Sequence, residues 1–349
     1  MNFPTFTPVE VDALVARRSE RPAVVIATPN YEERSIGFLR DFLGRCGSAS
    51  VDPSRVFVTL LWPHGNAKVD LLEQLKALYM DNLSKLLDAF ENETITFSYP
   101  TDFNERIVVD VLSRSATRFQ DEPVDIVVDI SCMPRRVLVA LCCAIAEIIE
   151  RDEKRRISVL FCYTSPQRYP APRYAQNVGG VYGYFSGRPI HASTAKHVST
   201  LVFPSLQGYE AHVLFDEVRS HVSSSITVFV AVGGHDYHVS LAMMRANQFI
   251  MERKEVQFIY YFSVLDGIQK LAAKISEESR RLASERSAAV LVAPFGPKIY
   301  TLSAFFQLNA ERARGAGCDF DIAHVSGFQY LSVYSLGVGR SLLFQVDAS

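Results

Sequence analysis

The chain has little that would announce a specialised environment. It holds a single tryptophan, and its six cysteines, Cys46, Cys132, Cys142, Cys143, Cys162 and Cys318, include no CxxC pair. That spacing excludes the common zinc-ribbon and dithiol motifs, and the apolar settings of most of them mark reduced core thiols rather than a disulfide frame. No apolar run approaches about 18 residues, so no membrane-spanning helix is expected. The opening MNFPTFTPVEVDALVARR lacks a basic start followed by an apolar core, and the expected location is cytoplasmic. Neither sign of charge dominates: 36 Lys and Arg stand against 38 Asp and Glu, for a net charge of −2. A broad basic surface for duplex DNA is thereby excluded, although a local basic pocket is not. The dinucleotide fingerprint GxGxxG and the phosphate loop GxxxxGK[ST] are both missing, so NAD and ATP in their usual modes are not expected and no cofactor is implied.

What is present is alternation. Residues 22–163 run PAVVIAT, a helix from about Arg34, RVFVTLL, a helix over 68–90, TITFSY, a helix over 104–118, VDIVVDI, a helix over 134–150, and ISVLFCY. Short β-branched strands alternating with longer amphipathic helices predict βαβ units and a parallel sheet with helices on both faces. Residues 199–325 repeat the count: STLVFP, a helix from about Glu210, SITVFVAV, a helix over 238–252, VQFIYYFS, a helix over 265–284, SAAVLVA, a helix over 297–313, and CDFDIAHV. The repetition reaches individual residues. Tyr31-Glu32 is answered by Tyr209-Glu210 at the first strand-to-helix turn, Pro134-Arg135 by Pro297-Lys298 at the fourth, and Ser165 and Tyr169 by Ser326 and Tyr330 after the fifth strand.

The expected fold is therefore α/β, with two tandem Rossmann-like open parallel-sheet halves related by internal duplication. The predicted domains are 1–168 and 199–349. Residues 169–198, rich in Pro, Gly, Tyr and Arg, are read as a linker or a lid over the first half's carboxyl edge. The last strand, SLLFQV at 341–346, is expected to close the second sheet at its edge.

Chemistry is expected where DISCMPRRVLVAL, beginning at Asp129, interrupts a buried strand and opens a helix. In an open parallel sheet such turns lie at the carboxyl edge, where ligands bind, and a helix begun by Pro134 points free backbone N–H groups into the crevice. A cation just after a helix-opening proline opposes the helix dipole unless an anion is bound there. Arg135, Arg136 and Lys298 thus suggest phosphate sites. Tyr31, Tyr169, Tyr209 and Tyr330 could stack on a base or bond a ribose, while Glu32, Arg34, Asp129, Ser131, Ser165, Glu210 and Ser326 complete the candidate ligand-binding set. The bland alternative is that these arginines and Tyr-Glu pairs cap helices and tie loops together. For catalysis, Asp129, Ser131 and Cys132 are the candidates, but no histidine lies nearby in sequence to activate the thiol. GGHDYH (233–238) holds His235, Asp236 and His238, which without a third well-spaced ligand are read as turn residues, so no metal is expected.

The block VVDISCMPRR, with the upstream turn YEERS and a strand ending in YTSP, resembles a poorly characterised bacterial family with duplicated Rossmann-like halves, over roughly residues 22–346. More remotely the architecture is similar to the CARF and SAVED ligand sensors of prokaryotic immunity, whose Rossmann-like domains bind cyclic or linear oligonucleotides at the sheet's carboxyl edge. Asp129-Ile130-Ser131 through Arg135 follows the acidic-hydroxyl-basic order of CARF turns, without their usual glycines. The resemblance implies a nucleotide or oligonucleotide second-messenger sensor within an antiviral defence system. It would bind an anionic small molecule, signal through a protein partner, and leave room for a homodimer. The alternatives are a hydrolase or transferase acting on a nucleotide or phosphosugar with Asp129 as base, and a scaffold for protein interaction.

Overall fold

The computed structural model describes residues 5–64, 70–98, 104–119, 122–151, 156–168, 180–190, 193–206, 208–219, 221, 223–232, 237–325 and 336–347. The elements of the first half are β1 (Thr5–Val9), α1 (Val11–Ala16), β2 (Ala23–Ala27), α2 (Gly37–Ser48), β3 (Val56–His64), α3 (Asp70–Leu87), β4 (Glu91–Ser98), α4 (Glu105–Thr117), β5 (Val124–Asp129), α5 (Arg135–Arg151) and β6 (Ile157–Thr164). There follow β7 (Val181–Gly183), β8 (His197–Phe203), α6 (Tyr209–Val218), β9 (Ser223–Ala231), α7 (Tyr237–Ala246), α8 (Gln248–Met251), β10 (Val256–Tyr261), α9 (Val264–Leu282), β11 (Ala288–Pro294), α10 (Lys298–Ala313), β12 (Asp319–Val325) and β13 (Ser341–Asp347). The strands and helices expected from the alternation are present, except that the single helix expected over 238–252 is divided into α7 and α8, and β1, α1 and β7 are additional.

Two sheets result. The first has the order β1-β13-β6-β5-β2-β3-β4 and the second β10-β9-β8-β11-β12-β7. Counting only the five alternating strands of each half, both run 3-2-1-4-5, all parallel, which is the order of a Rossmann-like sheet. The central strands β2 and β5 are buried throughout, as strands covered on both faces must be. On one face Ala23, Val25 and Ala27 of β2 pack with Phe38, Leu39, Phe42 and Leu43 of α2 and with Leu83 and Leu87 of α3. α4 and α5 lie together on the other face. In the second sheet Val198 and Val202 of β8 pack with Ala211, Leu214, Phe215 and Val218 of α6.

Two expectations are corrected. The strand at 341–347 does not close the second sheet. It pairs antiparallel with β6 of the first sheet, from Ser341↔Thr164 to Val346↔Val159, and β1 pairs with its other edge. Within the segment read as a linker or lid, Val181–Gly183 is likewise built into a sheet: β7 pairs antiparallel with β12 in the second. Two units follow, one holding β1–β6 with β13 and the other holding β7–β12, so the second domain does not run through to 349 as expected. Hydropathy shows that a segment is a strand, but edge partners are chosen by register and connection, which leave no local pattern.

Candidate functional site

In the first unit the order reverses between β2 and β5, so the loops leaving these two strands diverge and leave a crevice at the carboxyl edge. The loop after β2 is a compact turn. Asn30 Oδ1 accepts the Glu32 N–H at 2.7 Å, and Ser35 Oγ accepts the Asn30 N–H at 3.1 Å. Such side-chain acceptors stand in for backbone partners and fix a tight turn. Within it Arg34 Nε donates to Glu32 Oε2 at 2.8 Å, both side chains being buried, and Arg34 Nη1 reaches the Thr164 carbonyl at 3.3 Å. Glu32 and Arg34 thus tie the first turn to the end of β6.

The loop after β5 is equally committed. Asp129 Oδ1 accepts the Ser131 N–H at 2.9 Å and also the Ser131 hydroxyl, while Ser131 Oγ accepts the Thr164 N–H at 2.8 Å. The Ile130 N–H donates to the Cys162 carbonyl at 2.9 Å. Asp129 and Ser131 are buried, and burial together with the Asp129 charge pushes the Cys162 thiol well above its usual range. Cys132 is buried as well.

Pro134 follows and its carbonyl accepts the Leu138 N–H, opening α5. Arg135 is half-buried and Arg136 exposed in a first turn that contains no acidic residue. Thr28, at the end of β2, is 2% exposed, and its Oγ1 has no hydrogen-bond partner among the described residues. Side chains alternate along a strand, so Thr28 lies on the face opposite Ala23, Val25 and Ala27, which is the face of α5. The carboxyl edge therefore brings a helix N-terminus that opens with Arg135 and Arg136 and a buried hydroxyl to the same side of the sheet.

The second unit repeats the plan with different filling. Ile26 pairs with Val128 and Leu201 with Val292, so Phe203 holds the place of Thr28. Phe203 stacks on Tyr300 of α10 at 4.0 Å between ring centroids and on Phe229 at 4.3 Å, with Tyr261 edge-on to Tyr300. All four rings are buried. A Cβ on Gly267 would lie 2.8 Å from the Tyr300 hydroxyl, so glycine there lets α9 close on the stack. Lys298 opens α10 behind Pro297, as Arg135 opens α5 behind Pro134. Tyr209 and Glu210 open α6 behind Gly208, whose φ is +68° and whose Cβ would meet the Ala246 carbonyl at 2.0 Å. Asn247 Nδ2 holds the Ser205 carbonyl at 2.8 Å.

The structure thus groups Tyr31, Glu32, Arg34, Asp129, Ser131, Arg135 and Arg136 around one sheet edge, and Tyr209, Glu210 and Lys298 around the corresponding edge of the second sheet. Ser165 is placed elsewhere: its N–H and hydroxyl both donate to the Arg340 carbonyl, beside β13. Tyr169, Ser326, Tyr330, His235 and Asp236 lie outside the described residues, as does the side chain of His238. Among the described residues no group of three His, Cys, Asp or Glu side chains could hold a metal ion, and no helix is long and apolar enough to cross a membrane. Thr164, which accepts and donates at the centre of both first-unit turns, was not anticipated, because nothing in LFCYTSP distinguishes it. Compared with protein-family models and with curated proteins, the chain matches none of them.

Proposed function

We propose that the protein is a nucleotide-binding sensor whose ligand, a nucleotide or oligonucleotide second messenger, enters the first unit's crevice with a phosphate at the N-terminus of α5. The observation that carries this reading is the buried Thr28 hydroxyl, without a hydrogen-bond partner among the described residues, at the sheet edge where α5 opens with Arg135 and Arg136. A helix N-terminus offers backbone N–H groups and a positive dipole end, and adjacent cations there are relieved by a bound anion. Binding is favoured over hydrolysis because one oxygen of Asp129 already accepts both donors of Ser131, an arrangement that shapes the turn. The second crevice is the weaker site, since Phe203 and Tyr300 stand where the first has Thr28 and Val137. A role in cytoplasmic antiviral defence, with output through a protein partner or a homodimer, is supported by the likeness of the Asp129 turn to CARF sensors.

The test is thermal stability against mononucleotides, dinucleotides and cyclic oligonucleotides. A ligand at 100 times its Kd stabilises by about 2.7 kcal/mol. The expected result is a rise in Tm with one member of the panel, lost in Arg135→Ala, reduced in Thr28→Val and kept in Lys298→Ala. No rise with any member, or a rise unchanged in Arg135→Ala, refutes the proposal. Turnover of the ligand that is lost in Asp129→Ala would establish the hydrolase instead.

A further inference from the structure

β7, which was not expected, and β13, which was expected in the other sheet, are related. After the fifth strand of the first half, β6, the chain runs through 165–180 and makes β7, which joins the fifth strand of the second half. After that fifth strand, β12, it runs through 326–340 and makes β13, which joins β6. The registers agree as well. The last residue of β6, Thr164, pairs with the first of β13, Ser341, and the last of β12, Val325, pairs with the first of β7, Val181. The strand that follows each half therefore joins the fifth strand of the other, at the same place and in the same antiparallel sense.

Both crossings are held by specific fits. In the second unit Asp321 accepts the Phe185 and Ser186 N–H groups at 2.9 and 3.1 Å, Glu217 accepts the Val181 N–H at 2.8 Å, and a Cβ on Gly183 would fall 2.0 Å from Asp321 Oδ2. In the first unit Thr164 Oγ1 lies 2.8 Å from Ser341 Oγ, Arg168 and Leu336 exchange both backbone hydrogen bonds, and a Cβ on Gly339 would fall 2.8 Å from the Ser165 carbonyl. Moreover β13 is an interior strand, paired on one side with β6 and on the other with β1. Removing it would leave β1 without a sheet and β6 with an open edge.

We infer that the chain is the single-chain form of a strand-exchanged pair, in which the first sheet is completed only by the strand that follows the second half and the two halves unfold in one transition. Exchange of an equivalent element between like subunits is a known route to dimers, and fusing such a pair yields the connectivity found here. Two units joined by a simple linker would instead be free to unfold separately.

The test is urea unfolding of the full chain followed by two signals. Fluorescence of Trp62, the sole tryptophan, reports the first unit, and hydrogen exchange of peptides spanning β8 and β11 reports the second. The expected result is one shared midpoint, lowered equally at both signals by Gly183→Val in the second unit and by Gly339→Val in the first. Separate midpoints in the unmodified chain, or a Gly183→Val effect confined to β8 and β11, overturn the inference. Should Gly183→Val not fold, Asp321→Asn, which removes one acceptor of the same hook, is read in the same way.

Discussion

Asp125 gives the sharpest quantitative prediction. It lies at the start of β5, fully buried, and pairs with Arg18, also fully buried, in the turn that follows α1. Arg21 Nε stands 3.1 Å from its other oxygen. Burial pulls the Arg18 pKa down and Asp125 pulls it back up, so the carboxylate compensates a desolvation that would otherwise stand alone. Asp125→Ala leaves the Arg18 side chain with its hydrogen bond from Nε to the Leu14 carbonyl at 3.0 Å but with no counter-charge of its own. Removing one partner of a buried ion pair costs about 3–5 kcal/mol, against a total stability of roughly 5–15 kcal/mol for a folded protein. With a denaturant slope of about 1–3 kcal/mol per M, the urea midpoint seen by Trp62 should fall by about 1 M or more. The double variant Arg18→Met with Asp125→Leu should recover most of that loss, because apolar residues of similar volume need no compensation. A single-variant loss below about 1 kcal/mol, or a double variant worse than the single, refutes the reasoning.

Other predictions follow from the same geometry. Ser131→Ala removes the acceptor of the buried Thr164 N–H and should cost about 1–3 kcal/mol in denaturant unfolding; an unchanged midpoint would show that the turn does not depend on this bond. Gly208→Ala combines a positive φ with a Cβ at 2.0 Å from a carbonyl, and its Tm should drop by several degrees, whereas a Tm within 1 °C or so of the parent would contradict the fit. Burial pushes the Cys46 thiol from 9.0 up to about 11. Its folded form therefore keeps its proton while the unfolded form loses it, so this contribution is complete below pH 9 and disappears as the pH rises through 11. Cys46→Ala should flatten the decline in stability between those pH values, and an identical decline in the variant would count against the assignment. In thiol labelling at pH 8, exposed Cys143 should react at once and buried Cys46, Cys142 and Cys162 only on unfolding.

The alternation of strands and helices was legible because central parallel strands and covering helices each carry a period of their own. β1 left no such signal: all five of its residues are exposed or partly so in the sequence TFTPV, and Pro8 is tolerated because the strand forms the outer edge. SLLFQV was recognisable as a strand, yet its hydropathy suits either sheet. The candidate site divides in the same way. The Asp129 turn and Pro134-Arg135 stand out in sequence, but the closure of Asp129 on Ser131 and of Glu32 on Arg34 depends on loop conformation. The aromatic stack around Phe203 stayed hidden because LVFP reads like any strand end, and only register reveals that Phe203 stands where Thr28 does.

The position of β13 bears on how the molecule is made. During synthesis β2 through β6 leave the ribosome early and can associate at once, but the strand that seals β6 appears only after the entire second unit. Until then the first-made sheet carries an open edge, and β1, the first strand translated, has no partner. The earliest part of the protein is thus finished last, and a ribosome stalled within α10 would hold a chain whose β6 edge can pair with that of a neighbour on the same message.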